Sequence, residues 1–362
     1  MRIIISGGGT GGHLYPALAI ANELKEKGVK DILFVGAKGK IEMEKVPKAG
    51  YSIEGLWISG FHRQRIWRNF SFPFKLISSL FKAKRIIDKF KPDVVVGVGG
   101  YASGPLLKMA QRKSIPTLIQ EQNSYPGITN KLLAGEAKKI CVAYPNMDRF
   151  FDKDKVVLTG NPVRKDLSSL EHLHKEALNY FDFNRNKKTL LIFGGSLGAR
   201  SINKAVLHNY DLIKSRDDIQ ILWQVGTIYH DEYKDSKMSE LKHVKMLPFI
   251  DRMDLAYAGA DAIVCRAGAL TISEVCITAK PIILVPSPNV AEDHQTKNAM
   301  ALIDKDAALM VKDSDANELM ISQAFELVDN EKTQKRLSDA IHKLAKPNAR
   351  EDIASEILNL IK

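Results

Sequence analysis

Short unbroken apolar runs recur along the chain, separated by glycine-rich turns and by stretches with helical character. The first half holds "RIIIS" (2–6), "DILFVG" (31–36), "PDVVVGVGG" (92–100) and "PTLIQEQN" (116–123). The second holds "KTLLIF" (188–193), "IQILWQVG" (219–226), "VKMLPFI" (244–250), "DAIVCRAGA" (261–269) and "KPIILVPSP" (280–288). Continuous runs, rather than alternation, are the pattern of strands covered on both faces, and helices between them imply a parallel sheet. A helix is predicted from about Tyr15 to Lys27. The last residues, "EDIASEILNLIK", place Ile353, Ile357, Leu358 and Ile361 on one helical face.

Both halves open on strand, glycine loop and helix, and "KPDVVVGVGG" is echoed by "GADAIVCRAGA". The fold class expected is α/β, with two doubly wound, Rossmann-like domains. With 362 residues the chain has room for two. The boundary is expected in "LTGNPVRKD" (158–166), giving domains 1–163 and 164–344. The polar stretch 168–188 leads into the second, and a C-terminal helix, 345–362, is expected to pack back on the first.

The first glycine loop, "GGGTGGH" (7–13), contains a literal G-x-G-x-x-G in Gly7, Gly9 and Gly12. A dinucleotide site also needs an acid near the end of the second strand. That strand ends in Lys38 and Lys40, which disfavours NAD; lysines can suit a 2′-phosphate, so NADP stays open. Glycines there let a ligand approach the backbone, and a helix N-terminus attracts negative charge. The alternative is tight strand-to-helix packing with no ligand. His13 follows the loop at once. The positive end of a helix dipole disfavours imidazolium, and a neutral ring is what a general base requires. The alternative is a structural hydrogen bond.

A second loop, "FGGSLGAR" (193–200), puts Ser196 before a helix, where backbone amides can cradle a diphosphate. "CRAGALTISE" (265–274) is strand, Gly268, then a helix bearing Thr271, Ser273 and Glu274. A carboxylate there can accept from the vicinal hydroxyls of a ribose, or simply compensate the helix dipole. "EDHQ" (292–295) places Asp293, His294 and Gln295 before a helix, with capping by Asp293 as the alternative. The D-x-D pairs Asp152/Asp154, Asp304/Asp306 and Asp313/Asp315 lie in lysine-bearing polar stretches and read as surface turns and helix caps. No metal site is expected.

Charge changes the picture next. Residues 1–160 carry 26 Lys/Arg against 13 Asp/Glu, while residues 161–362 carry 27 against 29, so the whole formal excess of +11 belongs to the first half. It is concentrated in residues 61–91, with nine Lys/Arg, one acid and seven aromatics. Such interleaving suits nucleic acid, an anionic membrane surface, or an exposed basic helix with a core face. The membrane is favoured over nucleic acid, because Trp67, Phe70, Phe72 and Phe74 crowd as an insertion edge would. No nucleic-acid partner is expected. No signal peptide is expected, because the apolar run Ile3 to Ile5 breaks at once into glycine, and these residues hold no run of about 18 apolar positions. Cys141, Cys265 and Cys276 lack metal spacing and read as buried reduced thiols.

Taken in order, "GGGTGGH", "GVGGYASGP", "QEQNSYPGITNK", "GNPVR", "GGSLGAR", "CRAGALTISE" and "DHQTKNA" resemble the MurG family across nearly the whole chain. These are peripheral membrane N-acetylglucosaminyltransferases of peptidoglycan synthesis. The resemblance implies the GT-B fold, two Rossmann-like domains facing a cleft. It implies inverting, metal-independent transfer of GlcNAc from UDP-GlcNAc to the C4 hydroxyl of the muramoyl sugar of lipid I, on the cytoplasmic face of the membrane. No cofactor is implied. Carried over by position, Thr10, Gly11 and Gly12 approach the donor, and Asn123 touches its sugar. Arg164 and Ser196 hold the UDP part, and the backbone of Ile250 binds uracil. Ala269, Leu270, Thr271, Ile272, Ser273 and Glu274 line the nucleotide, with Glu274 on the ribose, and Gln295 holds sugar hydroxyls. Tyr101 and Ser103 seat the acceptor diphosphate, and His13 is the candidate base. The rivals are a UDP-GlcNAc epimerase or glycolipid synthase on the same fold, an NADP oxidoreductase, and a non-catalytic binding protein.

Overall fold

The computed structural model describes residues 1–60, 70–167 and 170–361. The chain divides into two compact units, Met1–Val163 with Lys346–Lys362, and Arg164–Ala345.

In the first unit, strands β1 (Arg2–Ser6), β2 (Asp31–Ala37), β3 (Ser52–Leu56), β4 (Val94–Gly97), β5 (Thr117–Glu121), β6 (Lys139–Val142) and β7 (Val156–Leu158) form one sheet, ordered β3-β2-β1-β4-β5-β6-β7. All its neighbours run parallel. Its helices are α1 (Gly11–Glu26), α2 (Glu42–Lys48), α3 (Phe72–Phe90), α4 (Ser103–Arg112) and α5 (Ile128–Ala134). Because strand side chains alternate between faces, Ile4, Val95 and Ile119 pack under α3 and α4, while Ile3, Ile5, Val94 and Val96 pack under α1.

The second unit repeats the scheme. Strands β8 (Lys188–Phe193), β9 (Ile219–Gln224), β10 (Val244–Leu247), β11 (Ala262–Cys265), β12 (Ile282–Leu284) and β13 (Leu309–Met310) are ordered β10-β9-β8-β11-β12-β13 and parallel. Its helices are α6 (His174–Tyr180), α7 (Arg200–His208), α8 (Tyr210–Ser215), α9 (His230–Tyr233), α10 (Met253–Gly259), α11 (Ala269–Thr278), α12 (His294–Ile303), α13 (Ala316–Asp329) and α14 (Glu331–His342). One face of the sheet, with Leu190, Ile192, Trp223 and Val264, is covered by Ile202 and Val206 of α7 and by Met320, Ala324 and Phe325 of α13. The last helix, α15 (Ala349–Asn359), belongs to the first unit. It buries Ile353, Ala354 and Ile357 against the α1 side of that sheet.

In both sheets the strand order reverses beside the first strand, between β1 and β4 and between β8 and β11. Loops leaving the carboxyl ends of two such strands diverge, and the crevice they leave is where doubly wound sheets bind ligands. The glycine loops lie at these two points.

The helix expected to begin near Tyr15 begins at Gly11 instead. The Thr10 carbonyl accepts from the amides of both His13 and Leu14 at 3.2 Å, which closes the first turn before Pro16 is reached. Pro16 lies inside the helix, where it has no N–H to return to the carbonyl four residues back. His13 therefore stands in the first turn of α1.

Candidate active site

In the first unit the loops after β1 and β4 pack back to back. Gly100 has φ of 79°, and a Cβ there would overlap the carbonyl of Gly8. The His13 ring lies on the second loop, where a Cβ on Gly99 would come within 3.0 Å of Nε2. Its Nδ1 pairs with the Thr10 hydroxyl at 3.0 Å. Thr10 occupies the extended N-cap position of α1, but its side chain does not cap the helix; it fixes the imidazole. Gly12 is open, with nothing nearer to a would-be Cβ than the Thr10 hydroxyl at 3.7 Å, whereas Gly11 is lined by the Tyr15 ring.

Tyr101 and Ser103 differ from one another. The Tyr101 ring lies against Gly9 and Gly60. Burial raises its phenol above the ordinary range, and the nearby Glu42 charge adds to this. The Ser103 hydroxyl is buried and donates to the Gly100 carbonyl at 2.8 Å. It pins the turn that starts α4.

The loop after β5 is organised by Glu121, which sequence reasoning passed over. Its buried carboxylate accepts from the amides of Asn123 and Gly127, both at 3.0 Å, and from the side-chain amides of Asn123 at 3.2 Å and Asn130 at 2.7 Å. Burial raises the Glu121 carboxyl, and these four donors oppose the rise. Asn123 is thus held by the residue two before it. Gln120, Gln122 and Asn161 form a buried network beside it, linking this loop to "GNPVR".

In the second unit the loop after β8 is open. Ser196 and Leu197 are exposed, and a Cβ on Gly195 would meet nothing within 4 Å. Its base is held by Gln224, whose Nε2 donates to the Gly195 carbonyl at 2.9 Å and whose Oε1 accepts from the Ile250 amide at 2.8 Å. The amide of Ile250 is therefore engaged within the protein. Gly268 provides the extended N-cap of α11, which presents Ala269, Leu270, Thr271 and Ser273 half-buried and Ile272 buried. The Ser273 hydroxyl donates to the Ala269 carbonyl at 3.0 Å. Glu274 accepts from the buried Tyr257 hydroxyl at 2.9 Å. Burial pushes the Tyr257 phenol well up, with Glu274 adding to the rise and Arg164, itself exposed, opposing it. Gln295 accepts from the Ser287 amide at 2.8 Å and holds the turn after β12.

The alternative for Asp293 and the reading of Asp313 as a surface turn or cap both need correction. Asp293 takes the N-cap position of α12 in a left-handed conformation, φ 50°, and caps no backbone amide; it accepts from the Thr296 hydroxyl at 2.7 Å. Asp313 is more than a turn residue. It pairs with Arg266, which also donates to the Val285 carbonyl and the Ser201 hydroxyl, tying the ends of β11 and β12 to α7. Asp152 does cap a short turn, accepting from the Asp154 amide. All three cysteines are buried and free. Among the described residues, no group of three or more His, Cys, Asp or Glu side chains is placed to hold a metal ion.

Residues 61–69, including Trp67, lie outside the described residues. From Phe72 onward the basic stretch forms α3, and Phe70 stands in the turn just before it. Phe70, Phe74, Ile77 and Phe81 recur at helical spacing and are 86, 64, 54 and 71% exposed, with Lys84, Arg85 and Lys89 also exposed. The opposite face buries Ser79, Ala83, Ile86 and Ile87. Phe72 is half-buried, so the outward apolar row runs through Ile77 and Phe81 instead. Among the described residues no helix is long and apolar enough to cross a membrane.

Two family profiles match this chain, the glycosyltransferase family 28 N-terminal domain over residues 3–142 and the family 28 C-terminal domain over residues 189–356. A relative from Flavobacterium psychrophilum is 53% identical over 362 residues, covering 100% of this chain and 98% of that protein. One from Phocaeicola vulgatus is 54% identical over 363 residues, covering 99% and 96%. Both are named UDP-N-acetylglucosamine–N-acetylmuramyl-(pentapeptide) pyrophosphoryl-undecaprenol N-acetylglucosamine transferase. The crystal structure of Acinetobacter baumannii MurG is 30% identical, with a TM-score of 0.79 over 99% of each chain. A UDP-GlcNAc 2-epimerase from Neisseria meningitidis shares the fold at 16% identity, with a TM-score of 0.70 over 99% of this chain and 100% of that one.

Proposed function

The chain belongs to glycosyltransferase family 28, and from that premise we propose that it transfers N-acetylglucosamine from UDP-GlcNAc to lipid I, forming lipid II for peptidoglycan synthesis. The observation that carries this reading is identity above one half, along the entire chain, to transferases of that name.

The chemistry follows from the groups each unit offers. The C4 hydroxyl of the acceptor attacks the anomeric carbon from the face opposite the leaving group, so configuration inverts. The new carbon–oxygen bond forms as the bond to the diphosphate breaks, and UDP departs with the electron pair. His13 takes the hydroxyl proton at Nε2. For that, Nδ1 must carry the ring hydrogen and donate to the Thr10 hydroxyl, which the 3.0 Å contact supports. Charge growing on the diphosphate is stabilised without a metal by Arg164, Ser196 and the amides leading into α7 and α11. Glu274, aligned by Tyr257, takes the ribose hydroxyls. Ile250, whose amide is held by Gln224, takes uracil at its carbonyl, and Gln295 takes the sugar. Thr10, Gly11, Gly12 and Asn123 approach the donor sugar, and the turn bearing Tyr101 and Ser103 seats the acceptor diphosphate.

The exposed row Phe70, Phe74, Ile77 and Phe81, flanked by cations, enters the interface of an anionic membrane on its cytoplasmic face, where the lipid acceptor resides. Changing Phe70, Phe74 and Phe81 to Ser should weaken sedimentation with anionic vesicles; unchanged binding would remove this face from the role.

The deciding assay supplies UDP-GlcNAc, a short-chain lipid I analogue and EDTA. A disaccharide product by mass is expected. Conversion of UDP-GlcNAc with no acceptor consumed would point to an epimerase, and a requirement for manganese would end the metal-free mechanism.

A further inference from the structure

Glu42 lies outside every motif singled out from the sequence, yet it touches the first glycine loop from beneath. Its side chain is 1% exposed. Both carboxylate oxygens accept from the Gly9 amide, at 3.1 and 3.0 Å, and Oε1 also accepts from the Ala37 amide at 2.9 Å. Neighbouring glycines leave the room. A Cβ on Gly8 would overlap Oε1, and one on Gly36 would stand 2.5 Å from Cγ. No Lys, Arg or His among the described residues forms an ion pair with it, so peptide donors alone hold this buried carboxylate.

The consequence runs along the chain. Gly9 has φ of 90° and leads directly into Thr10, whose hydroxyl holds the His13 ring. On its other side Gly9 is lined by the Tyr101 ring, 3.0 Å from a would-be Cβ. A group that anchors Gly9 therefore sets the start of α1 and the seat of Tyr101 together. A carboxylate suits this place because it only accepts; a glutamine would set an N–H group against the Gly9 donor.

We propose that Glu42 is a positioning residue for the transfer reaction, holding Gly9 and Thr10 and through them the imidazole of His13. This rests on the transferase reading, with His13 as base. Occupation of the Gly9 amide by an internal carboxylate also means that no substrate phosphate is received at that amide.

The test uses the full chain with Glu42→Gln, and with Gly36→Ala, which crowds Cγ while keeping the carboxylate. Turnover of UDP-GlcNAc with the lipid I analogue should fall about ten- to hundredfold in each, as small displacements of a catalytic group do. UDP affinity should be unchanged. Combined with His13→Ala, Glu42→Gln should cost far less than the product of the two single losses, whereas independent damage would multiply. The ring nitrogen resonances of His13 should move in both variants. Wild-type turnover, multiplied losses, or an unmoved His13 signal would each overturn the proposal. A wild-type chain that makes no disaccharide overturns the transferase reading alone, because the His13 signals then decide the Glu42 link by themselves.

Discussion

The two glycine loops look alike in sequence and differ in what lies beneath them. Under the first, the Glu42 carboxylate takes the Gly9 amide. Under the second, Gln224 spans from the Gly195 carbonyl to the Ile250 amide, and no charge is involved. The loop after β5 follows the first pattern, with Glu121 collecting four donors. A buried negative charge under a loop repels a phosphate; a neutral amide does not. In the proposed reaction this difference leaves the nucleotide diphosphate to the second loop and the positioning of the base to the first.

The largest effect that would sharpen this contrast is at His13. His13→Ala should lower turnover about 10²- to 10⁴-fold, the usual contribution of a general base, with UDP affinity unchanged. Steady-state rates with calorimetric UDP titration check both halves, and near-wild-type turnover would remove His13 from the role. Next is Ser196→Asp, which gives the second loop the kind of charge the first already contains. Repulsion between charges about 4–5 Å apart, partly screened at an exposed site, should weaken UDP binding about ten- to hundredfold. Unaltered affinity would break the comparison.

The smallest effect concerns pH and Glu121. Burial raises its carboxyl in the folded chain above the ordinary 4.5. Its stabilising contribution is therefore whole below that value and is lost as pH rises through the folded value. Glu121→Gln, uncharged throughout, should flatten the decline in melting temperature from about pH 4 toward neutrality. Parallel curves for the two proteins would show that Glu121 does not carry the dependence.

Much of the fold is legible in the sequence. Each apolar run from Ile3 to Leu284 became a strand, because unbroken Val, Ile and Leu can be covered on both faces only in a parallel sheet. The start of α1 is not legible in the sequence, because the Thr10 carbonyl closes the first turn at Gly11, ahead of the expected Tyr15. Glu42 is not legible in the sequence, because an acid a few residues past a strand has no signature of its own. Only the turn into α2 brings it under Gly9. Glu121 is hidden for a similar reason, since the strand run "PTLIQEQN" does not reveal that its carboxylate turns inward to gather a loop.

The sequence by itself determined the doubly wound α/β class, the paired glycine loops, and the stretches that carry the chemistry. Those depend on local periodicity and on spacing along one chain. Tertiary structure decided which loops are filled from within, by Glu42 under the first and Gln224 under the second, and which residues α15 buries against the first sheet. Each of these depends on groups far apart in sequence meeting in the interior. There a polar atom must find a partner, and the partner is chosen by packing.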